Sequence, residues 1–201
     1  APIETEYEKH CERMLLKAKN RYAGKVVWTD GKYHEPDYYI KGIESKQARM
    51  PQIMKDVMNT TINSMLDGKS EESVTEKVCN IIHDMIDGSI SLDDLKQKGK
   101  LKKDLKDYKT IGGSAAGALW ANTHLGKQYR KGSYFWNLID NNGRFISFDK
   151  VEELPATIGI GYEIMSDRYI LEKVKPFYEI ASWDMSPLYD AKKGRKTVEW
   201  L

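Results

Sequence analysis

Cysteine and histidine are scarce in this chain, and none of them stands at a metal-ligand spacing. Cys11 and Cys79 lie far apart, and His10, His34, His83 and His124 are scattered singly, so a zinc site is not expected. Two lone cysteines fit a reducing compartment, where they stay thiols. No apolar run approaches membrane-spanning length and the N-terminus has no signal-peptide pattern, so a cytoplasmic protein without a membrane partner is the default. There is no Gly-rich phosphate loop with its lysine and no nucleophile elbow. Glu152-Glu153 and Asp93-Asp94 are sequence neighbours, which points each pair in different directions and suits solubility better than catalysis. Charge of one sign is lacking as well: 32 Lys and Arg against 30 Asp and Glu.

The distribution of charge is less even than its sum. From Asp93 to Lys131 there are ten Lys and Arg (96, 98, 100, 102, 103, 106, 109, 127, 130, 131) against four Asp (93, 94, 104, 107). Local patches, rather than whole-chain charge, govern phosphate binding. With 201 residues, 40% hydrophobic and 31% charged, the chain can form one generous domain or two small ones with a packed core.

The first segment, through about Ile43, reads as strands of a small sheet, with turns at Asp30-Gly31 and near Glu35-Pro36. Lys19-Asn20-Arg21-Tyr22 opens an alternating stretch to Trp28. Two cations, an amide donor and an aromatic on a rigid strand suit a nucleic-acid backbone and minor groove. An edge strand whose Lys and Arg discourage aggregation would carry the same residues.

The period then changes. Met50, Ile53, Met54, Val57, Met58, Thr61, Ile62, Met65 and Leu66 recur every three or four residues, which predicts a helix, with Pro51 in its first turn and Asp67-Gly68 at its end. Its methionines suit an ordinary bundle core, and an adaptable binding groove is the other reading. A second helix starts at Ser70, carries Val74, Val78, Ile81, Ile82, Met85 and Ile86, and stops at Asp87-Gly88. The two are expected as an antiparallel pair. A charged stretch leads to 104–114 and then a small-residue helix from Ala115 to about Leu125. Asp140-Asn141-Asn142-Gly143 predicts a hairpin between 133–138 and 144–148. A last amphipathic helix is expected over about 167–179, with Pro176 shortening or kinking it.

The order of four motifs resembles the C-terminal part of family B DNA polymerases, the last palm strands followed by the thumb. They are Lys19-Asn20-Arg21-Tyr22, where the family usually reads Lys-Lys-Arg-Tyr; the Gly42-Ile43-Glu44 turn; the Arg49-Met50-Pro51 helix start; and Asp104-Leu105-Lys106-Asp107-Tyr108-Lys109 with Gly112 following. The last is similar to a thumb segment of archaeal members, and the tail is similar to that of phage replicative members, which end in a sliding-clamp-binding peptide. The resemblance spans nearly the whole chain. Asn20 departs from the family's second Lys, keeping an amide donor for minor-groove acceptors while losing charge and reach. Met50 replaces a Thr, which leaves Ser45 or a nearby group as the expected helix cap.

The resemblance implies an α+β chain, with a small antiparallel sheet of palm strands over 1–43, a mainly helical thumb with a small β-hairpin over 44–185, and a flexible clamp-binding tail over 186–201. Lys19, Asn20, Arg21 and Tyr22 would line the duplex minor groove and backbone. Lys106, Tyr108, Lys109, Gly112, Gly113 and Ser114 would grip phosphates, helped by close backbone approach at the glycines and by the amides opening the next helix. Lys127, Arg130 and Lys131 would extend that grip or form a solvated loop. Val198, Trp200 and Leu201 would hook a sliding clamp; a disordered tail and a tail packed on its own domain are the other readings.

The family's two catalytic signatures, which hold two metal ions for nucleotidyl transfer, do not occur here, nor does its fingers helix. The expectation is therefore a chain inactive alone, the small subunit of a split DNA polymerase. A large subunit with exonuclease, fingers and catalytic palm would be its partner, with primer-template duplex DNA and the clamp, and Mg2+ would sit in that subunit's active site. The setting would be a bacterial or archaeal host cytoplasm, with a virus as a possible source. Ala1 fits removal of an initiator Met and the end fits a natural terminus, while a piece of a longer polymerase remains the competing expectation. A non-catalytic duplex-binding accessory module and an unrelated helical interaction protein are the alternatives of other classes.

Overall fold

The computed structural model describes residues 8–194. The chain is α+β, with two three-stranded antiparallel sheets, each in chain order. The first contains β1 (Lys9–Ala18), β2 (Arg21–Thr29) and β3 (Lys32–Lys41). Asp30 and Gly31, both with positive φ (47° and 88°), make the tight β2–β3 turn, the twist-matched geometry that Asp-Gly favours. β1 and β2 are joined through Lys19-Asn20, with Ala18 opposite Arg21 and Asn20 left-handed at φ 58°. Lys19 and Asn20 thus form a turn, where the sequence read as strand. Asparagine is one of the few residues to adopt that conformation readily. The turn expected at Glu35-Pro36 is instead a bulge inside β3, between the pairs Val26–Asp37 and Trp28–Tyr33. An edge strand tolerates this proline because its N–H side needs no ladder partner.

α1 (Gln52–Leu66) and α2 (Glu71–Ile86) follow. Each ends on a left-handed glycine, Gly68 or Gly88. Behind each, the pairs Gly68 N–H to Met65 O with Lys69 N–H to Ser64 O, and Gly88 N–H to Met85 O with Ser89 N–H to Asp84 O, satisfy the last carbonyls. Ser70 caps α2 by accepting from Ser73 N–H at 3.3 Å. No side chain caps α1: Pro51 stands at the cap position and the Ser45 hydroxyl is buried without a partner among the described residues. Met54, Met58 and Met65 are buried in the main core with Val57, Ile62 and Leu66, so the core reading of this face holds.

A short α3 (Leu92–Leu95) leads into β4 (Gln97–Lys100), a strand that the sequence reading missed. α4 (Ser114–His124) comes next, then β5 (Tyr134–Ile139) and β6 (Phe145–Phe148), joined by the expected hairpin. Asp140 ties that hairpin, accepting from the backbone N–H of Asn142 and Arg144 at 2.9 and 2.8 Å. The last helical run is longer than expected: α5 (Tyr162–Met165), a wider π-helical stretch over Ser166–Leu171, and α6 (Glu172–Ala181), with Pro176 inside. Ser186–Lys193, expected as the start of a flexible tail, is a helix, α7, packed on α2 with Leu188 fully buried. Among the described residues no helix is long and apolar enough to cross a membrane.

The core unites α1, α2 and the last helical run with the inner faces of both sheets, where Tyr178, Phe148 and Phe177 are its largest fully buried side chains. A satellite cluster of Leu101, Ala115, Ala118 and Phe135 sits between α4 and the second sheet.

Candidate nucleic-acid interface

Among the described residues, those predicted from the sequence gather in two clusters, at the β1–β2 turn of the first sheet and on the loops and helix start beside the second. In the first, Lys19, Asn20 and Arg21 are exposed at the β1–β2 turn, and no carboxylate among the described residues pairs with Lys19 or Arg21. Gly42, at φ 67°, lies against this turn so closely that an added Cβ would run into the Asn20 backbone oxygen. Glycine is therefore required there by both space and conformation. Tyr22 is half-buried on the outer face, 6.0 Å from the Tyr39 ring, with the Lys41 ammonium 5.9 Å over its own ring. The same face exposes Met14 (45%) and Leu16 (64%).

The inner face of this sheet is latched to the C-terminal end of α1. Tyr38 donates its hydroxyl to Asp67 at 2.7 Å, Lys25 pairs with Asp67 at 3.2 Å, and Arg13 donates to the Met65 carbonyl at 3.4 Å. The Tyr38 hydroxyl, and then Lys25, hold the Asp67 carboxyl below the usual carboxylate range.

The second cluster is a groove at the free edge of β4. Tyr108, Gly112 and Ser114, all predicted, line it together with Arg49, Lys98, Lys100, Lys102 and Tyr134, which were not. No acidic side chain lines the groove, and none of those four cations pairs with a carboxylate among the described residues. The missed signal was the alternation of lysines from Lys96 to Lys102, a period of two that puts Lys98 and Lys100 on one side of β4, with Lys96 just before the strand and Lys102 in the bend after it. Cross-strand pairing sets Lys98 opposite Trp136 and Lys100 opposite Tyr134. The Lys96 and Lys98 ammoniums stand 4.6 and 5.6 Å over the Trp136 ring, and that of Lys100 stands 4.6 Å over Tyr134 while donating to its hydroxyl at 2.7 Å. Lys96 is also ion-paired with Asp93.

The other wall of the groove is the start of α4. Gly113, at φ 52° and ψ −132°, precedes the helix, and a Cβ at Gly112 or Gly113 would meet no neighbouring atom within 4 Å, so this backbone is open to a ligand. The first amides of a helix lack intrahelical acceptors and favour anions. The turn is fixed from beneath by fully buried Asn137, which donates to Ser114 Oγ at 3.2 Å and accepts from Ser147 Oγ at 2.6 Å. Gly117 allows this approach, since a Cβ there would collide with the Ser147 hydroxyl.

Tyr108 contributes differently from the expectation of a direct grip. Its hydroxyl accepts the backbone N–H groups of Lys102 and Lys103 at 3.1 and 3.4 Å and so closes the 102–108 loop. Lys106 and Lys109 are exposed on that loop. Lys127 is engaged: its ammonium bonds Asp149 at 2.6 Å and Glu153 at 2.9 Å, and Tyr129 donates to Asp149 at 2.7 Å. The hydrogen bonds to Asp149 and Glu153 raise the Lys127 pKa. Lys127 depresses Glu153, and together with Tyr129 it depresses Asp149 against the opposing effect of burial. Arg130 and Lys131 are exposed, on a loop held by the Lys131 N–H bond to Asp104 at 2.8 Å. Val198, Trp200 and Leu201 lie outside the described residues.

Among the described residues no group of three or more His, Cys, Asp or Glu side chains could hold a metal ion.

The sequence model of DNA polymerase family B matches residues 1–133, from the first sheet through the groove to the threshold of β5. The DNA polymerase delta catalytic subunit of Plasmodium falciparum (isolate K1 / Thailand) is 31% identical over 111 residues, 55% of this chain and 10% of that protein. The chain thus spans about a tenth of the length of the curated relative it matches.

Proposed function

Because the chain belongs to DNA polymerase family B, we propose that it is the palm-end and thumb portion of such an enzyme, working as the small subunit of a split polymerase. It grips the primer-template duplex while a large subunit supplies the exonuclease, the fingers and the catalytic aspartates with their Mg2+. The observation that carries this reading is the open, acid-free groove of Arg49, Lys98, Lys100 and Lys102 beside the start of α4. Cations without carboxylate partners are free to replace the counterions of a phosphate backbone, which gives affinity without sequence preference. The exposed Lys19–Arg21 turn adds an amide and two charges to a sheet whose outer face, with Met14 and Leu16, is left for the large subunit to cover.

The test is primer extension with this chain, a candidate large fragment from the same genome, and their mixture. Synthesis only in the mixture supports the split enzyme. No synthesis in any mixture, together with salt-sensitive duplex binding by this chain alone, turns the reading to a duplex-binding accessory module. Val198, Trp200 and Leu201 form an apolar hook for a sliding clamp in this scheme, which raises effective concentration at the primer. Deleting residues 197–201 is expected to lower clamp-dependent processivity and to spare extension of short primers; equal loss of both would refute the hook.

A further inference from the structure

The free edge of the second sheet has a geometry more specific than a basic patch. Successive same-side residues on a strand are about 6.6 Å apart, comparable to the separation of neighbouring phosphates along one nucleic-acid strand. Lys98 and Lys100 occupy such positions, Lys102 follows in the bend just past the end of β4, and each is held by the fold. Trp136 lies beneath Lys98, Tyr134 both underlies Lys100 and accepts its hydrogen bond, and the Tyr108 hydroxyl fixes the backbone of Lys102. Arg49 stands at the same edge, its carbonyl accepting the Lys98 N–H at 3.3 Å. Because ammonium groups already cover the Tyr134 and Trp136 rings, these aromatics are not free platforms for bases; they orient charge.

We propose that β4 is a phosphate ruler, in which Lys98, Lys100 and Lys102 follow consecutive phosphates of a single strand of nucleic acid, with Tyr134 as the residue that positions Lys100. The ligand class rests on the family reading above; the residues, the single-strand tracking and the role of Tyr134 do not. A lysine held in place before binding loses less side-chain freedom on meeting its phosphate than one that must be immobilised.

The experiment is fluorescence anisotropy of the full chain on a short labelled duplex across a salt series. The slope of log affinity against log salt falls by about 0.9 for each phosphate that is no longer neutralised, hence by about 2.7 for the variant Lys98→Gln, Lys100→Gln, Lys102→Gln. Tyr134→Leu weakens binding about two- to fivefold with little change in slope, and Tyr134→Phe restores most of the loss because the ring still carries Lys100. A duplex with methylphosphonates along one whole strand still binds through the other and keeps the triple variant's defect. An unchanged slope in the triple variant, or no binding by the chain at low salt, overturns the ruler. Complete loss on neutralising one strand overturns single-strand tracking. Neither result touches primer extension by the mixed subunits, on which the polymerase reading stands or falls.

Discussion

Both sheets are three-stranded, antiparallel and ordered along the chain, yet they meet the helices by different means. The first is latched at its inner face by long polar side chains reaching the end of α1: Tyr38 and Lys25 to Asp67, and Arg13 to the Met65 carbonyl. The second is joined to α4 by small residues at close range, Gly117 against Ser147, with Asn137 satisfying a hydroxyl on either side. Their exposed surfaces diverge accordingly. The first shows Met14 and Leu16 to solvent on its outer face, whereas the second is packed on both faces. Phe135, Asn137 and Ser147 lie toward α4, and Trp136, Leu138, Ile146 and Phe148 toward the main core, with the exposed Lys98 and Lys100 on the latter side over Trp136 and Tyr134. One topology is packed in two ways, on one face in the first sheet and on both in the second, because alternation along a strand lets the residues of each face be chosen separately.

The largest effect expected from breaking this comparison lies in the first sheet. Gly42→Ala combines a left-handed backbone with a clash against the Asn20 oxygen, neither of which a rotamer change relieves. It should cost about 2–3 kcal/mol in denaturant unfolding; a cost near zero would show that the Lys19-Asn20 turn moves freely. Next comes the second sheet's joint. Asn137→Ala leaves the buried Ser147 hydroxyl without its acceptor and should cost about 1–3 kcal/mol. Amide exchange at the start of α4 should accelerate while β1–β3 stays protected; uniform acceleration would mean the two sheets do not loosen separately.

The smallest effect sharpens the contrast through pH. Asp67 serves the first sheet, while Asp149 and Glu153 hold Lys127 beside the second, and all three carboxyls lie below their ordinary values. Their stabilisation is present above the unfolded values of about 3.9 for Asp and 4.3 for Glu, and is lost as pH falls through the lower folded values. The denaturant midpoint should therefore drop in that acid window. Asp67→Asn should remove part of the drop and Asp149→Asn a different part; an identical acid profile in both variants would show that neither pair matters.

The elements written in adjacent residues were legible. Asp30-Gly31 specified a tight turn, Gly68 and Gly88 specified helix ends, Ser70 a helix start, and Asp140 to Gly143 a hairpin, because each depends on the conformational range of a few neighbours. Two local signals were misread. Asn20 was read as part of a strand but sits in a left-handed turn, and Lys98 and Lys100, read as part of a charged stretch, lie on a strand. The bulge at Pro36 depends on the partner strand, and α7 depends on a seat against α2.

What the sequence determined by itself was the α+β class, the helix pair with its methionine core, and the family, since periodicity and motif order survive without coordinates. What only the tertiary structure decided was which cations are free. Lys127 and Lys98 are alike in sequence, but Lys127 meets carboxylates 22 and 26 residues away while Lys98 meets an aromatic ring and open solvent. Ion pairing acts over a few ångströms in space rather than along the chain, so the choice between an engaged lysine and an unpaired one is made by the fold.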